Sequence, residues 1–332
     1  MKNKRVLDYV GSIEQLAYAR ASALTDGPGR GNRIIDVCNG SGLGFTVCPD
    51  RGLDIVEANF NGLPMVYRTP AGHHARWEYQ PPGGIHWLRT WPGGLVTTCG
   101  LRSAGNPNGE FGLHGRASNS AAEDVSVFRE WVDGEYRIFI RGVLREAQIF
   151  GENIRMVRTV STAYGRNAVD ILDEVSNLAG KPDYLQLVYH CNFGYPLVSP
   201  DTRLVAPEHS VLPRTAEAEK GLATWDIMPP PKKGTPEQCF FHQLPPGKDK
   251  FASMSIVNEK AKVKATVAYD TRTLPRLVQW KVYDTGTYVI GLEPANTWLK
   301  GRADEIADGT IQKIGAGETL TFKIRIQFDT LN

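Results

Sequence analysis

The sequence predicts an all-β protein, a large antiparallel β-sandwich or barrel with one short helix near its N-terminus. The 34 glycines and 21 prolines are spread along 332 residues and divide the chain into short segments, which favours many strands and turns. Apolar and polar residues alternate within those segments, as in LTFKIRIQF near the C-terminus, a pattern typical of half-buried strands. No GxGxxG motif follows a strand, which argues against a nucleotide-binding Rossmann domain.

The first third of the chain predicts the helix and then four strands. Ser12 is positioned to cap a helix over residues 13–21, with Ile13, Leu16, Ala17 and Ala21 on one face. The dipeptide Asn61-Gly62 between two apolar runs predicts a two-residue hairpin turn. The four predicted strands are 33–37, 45–48, 54–59 and 64–68.

The second part of the chain predicts ten further strands in one domain, 1–332. Residues 199–248 are polar and rich in proline, so we interpret them as a loop insertion and not as a domain boundary. The predicted strands are 125–132, 136–145, 153–163, 168–176, 184–190, 251–257, 261–269, 277–282, 288–293 and 319–328.

Charge and cysteine content exclude several classes of protein. The net charge of +2 gives no electrostatic footprint for nucleic acid or an anionic membrane. The basic N-terminus has no apolar core of a signal peptide, and no stretch approaches the roughly 18 apolar residues of a membrane span. Five cysteines without a CxxC motif favour reduced thiols and a cytoplasmic protein. The sequence leaves open a homo-oligomer.

Residues 71–116 are irregular and rich in histidine and tryptophan, and long loops of this kind in compact domains are usually functional. Three segments then place an acid/base residue at the end of an apolar strand, beside small or turn-forming residues. They are 112–116 (GLHGR), 189–194 (YHCNFG) and 291–296 (GLEPAN). Their candidate catalytic residues are His114, His190 and Glu293.

These three segments, in this order, resemble the aldose 1-epimerase (galactose mutarotase-like) superfamily. Its middle motif is similar to Asn177…Pro182 followed by His190 and Phe193. The N-terminal half resembles a branch of the superfamily without a characterised function. That likeness rests on LTDGPGRG, FTVCPDRGLDI, FNGLPMVYRTPAG, GGLVTTCGL and FGLHGR.

The resemblance implies a supersandwich of antiparallel sheets with a concave carbohydrate site, and interconversion of the α and β anomers of a free sugar. The leading prediction is an isomerase that acts on the anomeric or a neighbouring carbon of a monosaccharide or sugar acid. The resemblance also implies that Glu293 is the general base, that His190 is the general acid and that His114 binds the substrate and stabilises developing charge. The residue types suit this reaction, since histidine can give or take a proton near neutral pH and a carboxylate is a base if it stays ionised. We expect nearby donors to keep Glu293 ionised.

Other side chains are candidates for substrate binding. Trp87 and Trp91 could stack on a sugar ring, as could Trp77 and Trp298 with less support, because an aromatic ring offers an apolar face and a polar edge. Arg116 could fix a hydroxyl or an acidic group. Arg51 either holds a local turn or lines the pocket, and His86 could reach the site from the same loop as the tryptophans.

Two other functions remain open at the level of sequence. The His/His/Glu set is also suited to a divalent metal in a sugar isomerase, epimerase or lyase, with His73, His74 or His86 as a further ligand. The protein could instead bind carbohydrate without catalysis, because a fold alone does not determine function. The leading prediction needs no cofactor.

Overall fold

The computed structural model describes residues 2–75, 84–247 and 249–332. Within these residues the chain forms antiparallel sheets and two short α-helices, α1 Ala216–Lys220 and α2 Arg302–Ala307. The all-β prediction is therefore confirmed. In chain order the strands are β1 Tyr18–Ala23, β2 Arg33–Cys38, β3 Leu43–Cys48, β4 Asp54–Phe60, β5 Leu63–Pro64, β6 Thr97–Cys99, β7 Glu123–Val132, β8 Glu135–Ala147, β9 Asn153–Ala163, β10 Ala168–Asn177, β11 Asp183–Leu185, β12 Val188–Phe193, β13 Thr202–Val205, β14 Ser210–Pro213, β15 Gln238–Gln243, β16 Phe251–Asn258, β17 Val263–Asp270, β18 Arg276–Asp284, β19 Thr287–Ala295, β20 Gln312–Ile314 and β21 Thr319–Thr330.

The described strands form two large sheets and two smaller ones. The larger sheets have eight strands, ordered β13-β16-β17-β21-β10-β9-β8-β7, and six strands, ordered β14-β15-β18-β19-β12-β6. Strands β1 to β5 form a five-stranded meander, and β11 pairs with β20. Most neighbours in these sheets are close in sequence because hairpin turns connect them, as at Asn61-Gly62, where both residues have positive φ.

The core lies between the inner faces of the eight-stranded and six-stranded sheets. Along β21 every second side chain is buried, namely Phe322, Ile324, Ile326 and Phe328. The same cluster includes Leu277 and Leu292 from the six-stranded sheet. Burial of each large apolar side chain contributes roughly 1.5–3 kcal/mol, so the alternating pattern read from the sequence accounts for how the two sheets associate.

The predicted N-terminal helix over 13–21 is wrong. Ser12 does cap a turn, since its hydroxyl accepts a hydrogen bond from the Glu14 backbone, but the 3₁₀ turn Ile13–Gln15 ends there. Strand β1 begins at Tyr18 and pairs with β2, with Ala17 and Ala19 buried beneath it. Pairing with a neighbouring strand has overridden the helical preference of an alanine-rich segment.

The interpretation of 199–248 as a loop insertion is also wrong. This region contributes β13 to the eight-stranded sheet and β14 and β15 to the six-stranded sheet, with α1 between the latter two. Strands β13 and β14 have four residues each, which is too short for an alternating pattern to be recognised in the sequence. Residues 199–248 therefore form part of both large sheets.

In the part of the chain that the structure describes, no helix has the length and apolarity needed to cross a membrane. All five cysteines are unpaired. The outer face of the six-stranded sheet, opposite the core, carries His190 on β12 and Glu293 on β19. Residues from 85–91 and 105–114 line the cavity on this face.

Candidate active site

A cavity of about 290 Å³ lies on the outer face of the six-stranded sheet. Ligand pockets typically measure roughly 300–1,000 Å³, so this cavity suits a ligand of about the size of one sugar ring. Its wall is mainly apolar and contains a small number of polar groups. The polar and titratable lining residues are Asn106, His114, His190, Arg214, Glu237, Cys239, Trp280 and Glu293.

His190 and Glu293 form the centre of the cavity. Strands β12 and β19 are antiparallel, with Val188 opposite Ala295 and Cys191 opposite Leu292, so this register sets His190 across from Glu293. The imidazole Nε2 lies 3.2 Å from the Glu293 Oε1. Within the described residues, Glu293 Oε1 and His190 Nδ1 are buried without a well-aligned hydrogen-bond partner. Buried polar atoms normally have a hydrogen-bond partner. Because these two atoms lack one, both are available to a ligand.

Gly291 makes room for the Glu293 carboxyl. The two residues lie on the same face of β19, because alternate residues of a strand point in the same direction. A Cβ at position 291 would lie 2.7 Å from Glu293 Oε1 and 3.5 Å from the His190 Cε1. The Gly-Leu-Glu motif therefore has a steric cause, since a side chain at 291 would occupy the place of the carboxyl.

His114 reaches the cavity from a tight turn with positive φ. Its φ is +62°, and its backbone N–H and C=O bond to the backbone of Gly105 and Gly100. A Cβ on the next residue, Gly115, would lie 2.1 Å from the Ser103 carbonyl oxygen, so the His-Gly pair requires glycine. Left-handed backbone at a residue other than glycine is often found at functional sites. The His114 ring centre lies 5.6 Å from that of His190.

Burial shifts the titration of all three residues towards their neutral forms. It raises the pKa of Glu293 to about 8, an effect that Arg214 opposes and Glu237 increases. It lowers the pKa of His190 to about 4 and that of His114 well below its usual value, the latter with help from His190 and Arg214. The expectation that nearby donors would keep Glu293 ionised is therefore wrong for the free protein, because burial outweighs the charge of Arg214.

Tryptophans form one wall of the cavity, as the sequence predicts for Trp87 and Trp91. Their rings stack with centres 5.0 Å apart. Their indole N–H groups are already bonded, Trp87 to Ser118 Oγ and Trp91 to Thr97 Oγ1, so they offer ring surface to a ligand. Sequence reasoning missed Trp280, whose ring lies 5.4 Å from His190 and whose N–H donates to Glu237.

The structure places three predicted substrate-binding residues outside the cavity wall. Arg116 lies over the Phe111 ring and pairs with Glu146. Arg51 is buried and donates to the carbonyl of Thr90, so it anchors the loop between the two tryptophans. These contacts hold both guanidinium groups outside the cavity wall. The His86 side chain is exposed beside the cavity and does not line it.

The two other predicted stacking residues also lie elsewhere. Trp298 lines an adjacent groove, where the Arg276 guanidinium lies 4.1 Å from its ring centre. Trp77 is outside the described residues. The cavity instead receives Arg214 and Glu237 from the region misread as a loop insertion. Neither residue belongs to a sequence motif, so only the pairing of β14 and β15 with the rest of the sheet brings them to the site.

The metal hypothesis gains no further ligand from the described residues. His73 Nε2 lies 3.2 Å from Glu57 Oε1, and His74 bonds to the carbonyl of Ala71. Across residues 2–75, 84–247 and 249–332, no three His, Cys, Asp or Glu side chains are arranged to hold a metal ion. A metal role remains a prediction for experiment.

Comparison with known proteins places the chain in a structural class. A structure from Klebsiella pneumoniae, provisionally named an aldose 1-epimerase, superimposes with a TM-score of 0.90 at 26% identity over 95% of this chain and 86% of the other. A galactose mutarotase-like protein from Clostridium acetobutylicum (TM-score 0.65, 12% identity, 96% and 100% coverage) shows the same fold. So does a galactose 1-epimerase from Lactobacillus acidophilus (TM-score 0.62, 12% identity, 95% and 100% coverage). The fold is galactose mutarotase-like.

A family model described as a domain of unknown function, DUF4432, matches residues 29–328. The chain belongs to this family. No curated protein matches it.

Proposed function

We propose that this protein is a carbohydrate isomerase that interconverts the anomers of a monosaccharide or sugar acid. The observation that carries the proposal is the buried pair His190–Glu293, 3.2 Å apart in a cavity walled by tryptophans. The names given to the Klebsiella and Lactobacillus relatives support the same class of reaction. A small cavity with an apolar wall and a few convergent polar groups is typical of a small-molecule site.

The reaction needs one proton removed and one delivered. One residue takes the proton of the anomeric hydroxyl, the bond between C1 and the ring oxygen breaks, and the other residue protonates that oxygen. Rotation about the C1–C2 bond and reversal of the steps close the ring as the other anomer. His190 and Glu293 are suited to this exchange because together they hold one proton between about pH 4 and about pH 8.

Burial places that proton on Glu293 in the free protein. A substrate hydroxyl that donates to Glu293 Oε1 favours the ionised carboxyl, and the proton then moves to His190. This restores the roles that the resemblance implies, with Glu293 as base and His190 as acid. We infer that His114 binds a ring hydroxyl, since it lines the cavity and its ring centre lies 5.6 Å from that of His190.

Exchange NMR on a panel of reducing sugars and sugar acids tests the proposal. We expect catalytic amounts of protein to accelerate exchange between the α and β anomeric signals, with a plateau between about pH 4 and about pH 8. Glu293→Gln should reduce this acceleration by about 10² to 10⁴-fold, the usual contribution of a positioned acid or base.

Glu174→Gln is the matched control, because Glu174 is exposed on β10, away from the cavity. It should exchange sugars at the wild-type rate. Equal rates for wild type and Glu293→Gln would contradict the proposal. Sugar binding without faster exchange would indicate a binding protein, and loss of exchange with a chelator would indicate the metal-dependent reaction.

A further inference from the structure

One cationic side chain in the cavity wall, Arg214, neither gives nor takes a proton in the proposed reaction. Arg214 follows β14 and lines the cavity with His114 and Glu293. Among the described residues no carboxylate lies within ion-pair distance of its guanidinium, whereas Arg102, Arg158 and Arg302 all pair with carboxylates. Arg214 is half-buried, where an unpaired positive charge is unfavourable unless a partner arrives.

Protein contacts hold Arg214 in place but do not neutralise it. Its Nη2 donates to Asn106 Oδ1 at 2.8 Å and to the Leu299 carbonyl at 3.1 Å. A guanidinium has five N–H donors. Besides the two on Nη2, one contacts the side chain of Cys239, which leaves further donors on Nε and Nη1 for a ligand. Four other arginines that are buried or half-buried also lack a carboxylate partner among the described residues, namely Arg51, Arg155, Arg166 and Arg276, and none of them lines the cavity. Of these, Arg51 bonds to a carbonyl and Arg276 stacks on Trp298.

The charge of Arg214 acts on the catalytic residues. It opposes the rise in the pKa of Glu293 that burial causes, and it adds to the fall in the pKa of His114. The other charged group at the rim, Glu237, is exposed and accepts a hydrogen bond from Trp280 Nε1 at 2.7 Å. A ligand in this cavity therefore meets a fixed cation beside the acid/base pair.

We propose that Arg214 binds an anionic substituent of the substrate, so that the protein acts on an acidic sugar. This inference rests on the proposed function and deepens it. A carboxylate and a phosphate share the required chemistry, since arginine recognises both through charge-assisted hydrogen bonds. A cavity of about 290 Å³ limits the ligand to a single acidic sugar ring. The sequence suggested Arg116 as a residue that could bind an acidic group of the substrate. We propose Arg214 for this role instead.

Matched pairs of sugars test the proposal. The probes are glucuronate and galacturonate, their neutral parents glucose and galactose, and glucose 6-phosphate. For each, calorimetry gives the affinity and exchange NMR gives kcat/KM for anomer exchange. We expect wild type to prefer at least one acidic probe over its neutral parent by about 30-fold or more, which corresponds to a buried, hydrogen-bonded charge pair. Comparison of the two uronates with glucose 6-phosphate shows whether the site prefers a carboxylate or a phosphate.

Variants test whether Arg214 causes the preference for acidic sugars. Arg214→Met should abolish it, and Arg214→Lys, which keeps the charge without the fixed fork, should retain part of it. Lys300→Met is the control, because Lys300 lies in the adjacent groove with Arg214 and outside the cavity wall, and it should keep the wild-type preference. Arg214→Met should also move the alkaline limb of the pH profile upward, because the charge that opposes the raised pKa of Glu293 is lost.

Equal affinity of wild type for acidic and neutral probes would overturn the proposal, whatever the variants do. So would an Arg214→Met protein that keeps the preference. If no sugar shows accelerated exchange, the proposed reaction fails, while the affinities still decide whether Arg214 selects an anion. Thermal denaturation of each variant shows whether it is folded. If Arg214→Met does not fold, the comparison of acidic and neutral probes with the wild-type protein still tests the proposal.

Discussion

Tyr189 and His190 are neighbours on β12, but their side chains point to opposite faces of the six-stranded sheet and meet opposite surroundings. Tyr189 faces the core, where its hydroxyl donates to Asp173 Oδ2 at 2.6 Å. His190 faces the cavity, where its Nδ1 has no well-aligned hydrogen-bond partner among the described residues. Both are buried, so the difference lies in how their polar atoms are satisfied.

The Tyr189 hydroxyl belongs to a cluster around Arg158 in which the charged side chains are paired and hydrogen-bonded. This arginine is completely buried and pairs with Asp173 and Asp54 at 2.6 and 2.9 Å. It also donates to Thr98 Oγ1, and Thr98 in turn bonds to Asp54. The cluster joins β9 and β10 of one sheet to β6 and β12 of the other. Polar atoms satisfied in this way stabilise a structure, whereas the unsatisfied pair on the outer face is available to a ligand.

Breaking the cluster should produce the largest change in stability. Arg158→Met leaves Asp54 and Asp173 buried without their cation, which typically lowers the free energy of unfolding by about 3–5 kcal/mol. Denaturant unfolding measures the difference. Arg325→Met is the matched control, since Arg325 pairs with Asp170 where both are partly exposed, and such a pair contributes about 0–1 kcal/mol. Similar losses in the two variants would contradict the structural role of the cluster.

On the cavity side, replacement of Glu293 should raise the free energy of unfolding, whereas replacement of Arg158 lowers it. The pKa of Glu293 rises from 4.5 to about 8 on folding, so the folded protein binds this proton more tightly and loses stability as pH rises between these values. Glu293→Gln removes that loss. Since one pKa unit corresponds to about 1.4 kcal/mol, we expect the variant to exceed wild type in free energy of unfolding by a few kcal/mol at pH 9, and by little at pH 4.

Thermal denaturation at the two pH values, with Glu174→Gln as control, measures this effect. A difference between Glu293→Gln and wild type that does not grow with pH would show that the carboxyl is ionised in the folded protein.

A smaller effect is expected at Gly291. The added methyl of Gly291→Ala meets Glu293 Oε1 and should displace the carboxyl from His190, which lowers anomer exchange by about tenfold, because small misplacements of a reacting group are costly. Gly180→Ala is the control, since a Cβ there meets no other atom within 4 Å. Wild-type exchange by Gly291→Ala would mean that the carboxyl position is not critical.

Local patterns in the sequence predicted most of the strands but not the whole site. Strand β9 is found at the predicted limits because its alternation is regular and turns bound it on both sides. The segment 13–21 failed because alanines suit a helix until β2 is present to pair with them. His114, His190 and Glu293 were identified through motifs. Arg214 and Trp280 have no motif, and only the sheet brings them to the cavity.

The comparison on β12 also supplies the most direct test of the account. Tyr189→Phe and His190→Gln are adjacent substitutions, and each can be measured by denaturant unfolding and by anomer exchange. We expect Tyr189→Phe to lower the free energy of unfolding by about 1–3 kcal/mol, as for a lost hydrogen bond to a buried charged group, and to keep the wild-type exchange rate.

His190→Gln should do the reverse, with exchange lowered by about 10² to 10⁴-fold and a smaller change in stability than Tyr189→Phe. This opposite pattern in two neighbouring residues would establish that the outer face of the sheet is catalytic and the inner face structural. An exchange rate that survives in His190→Gln, on a sugar that the wild type converts, would contradict the central claim.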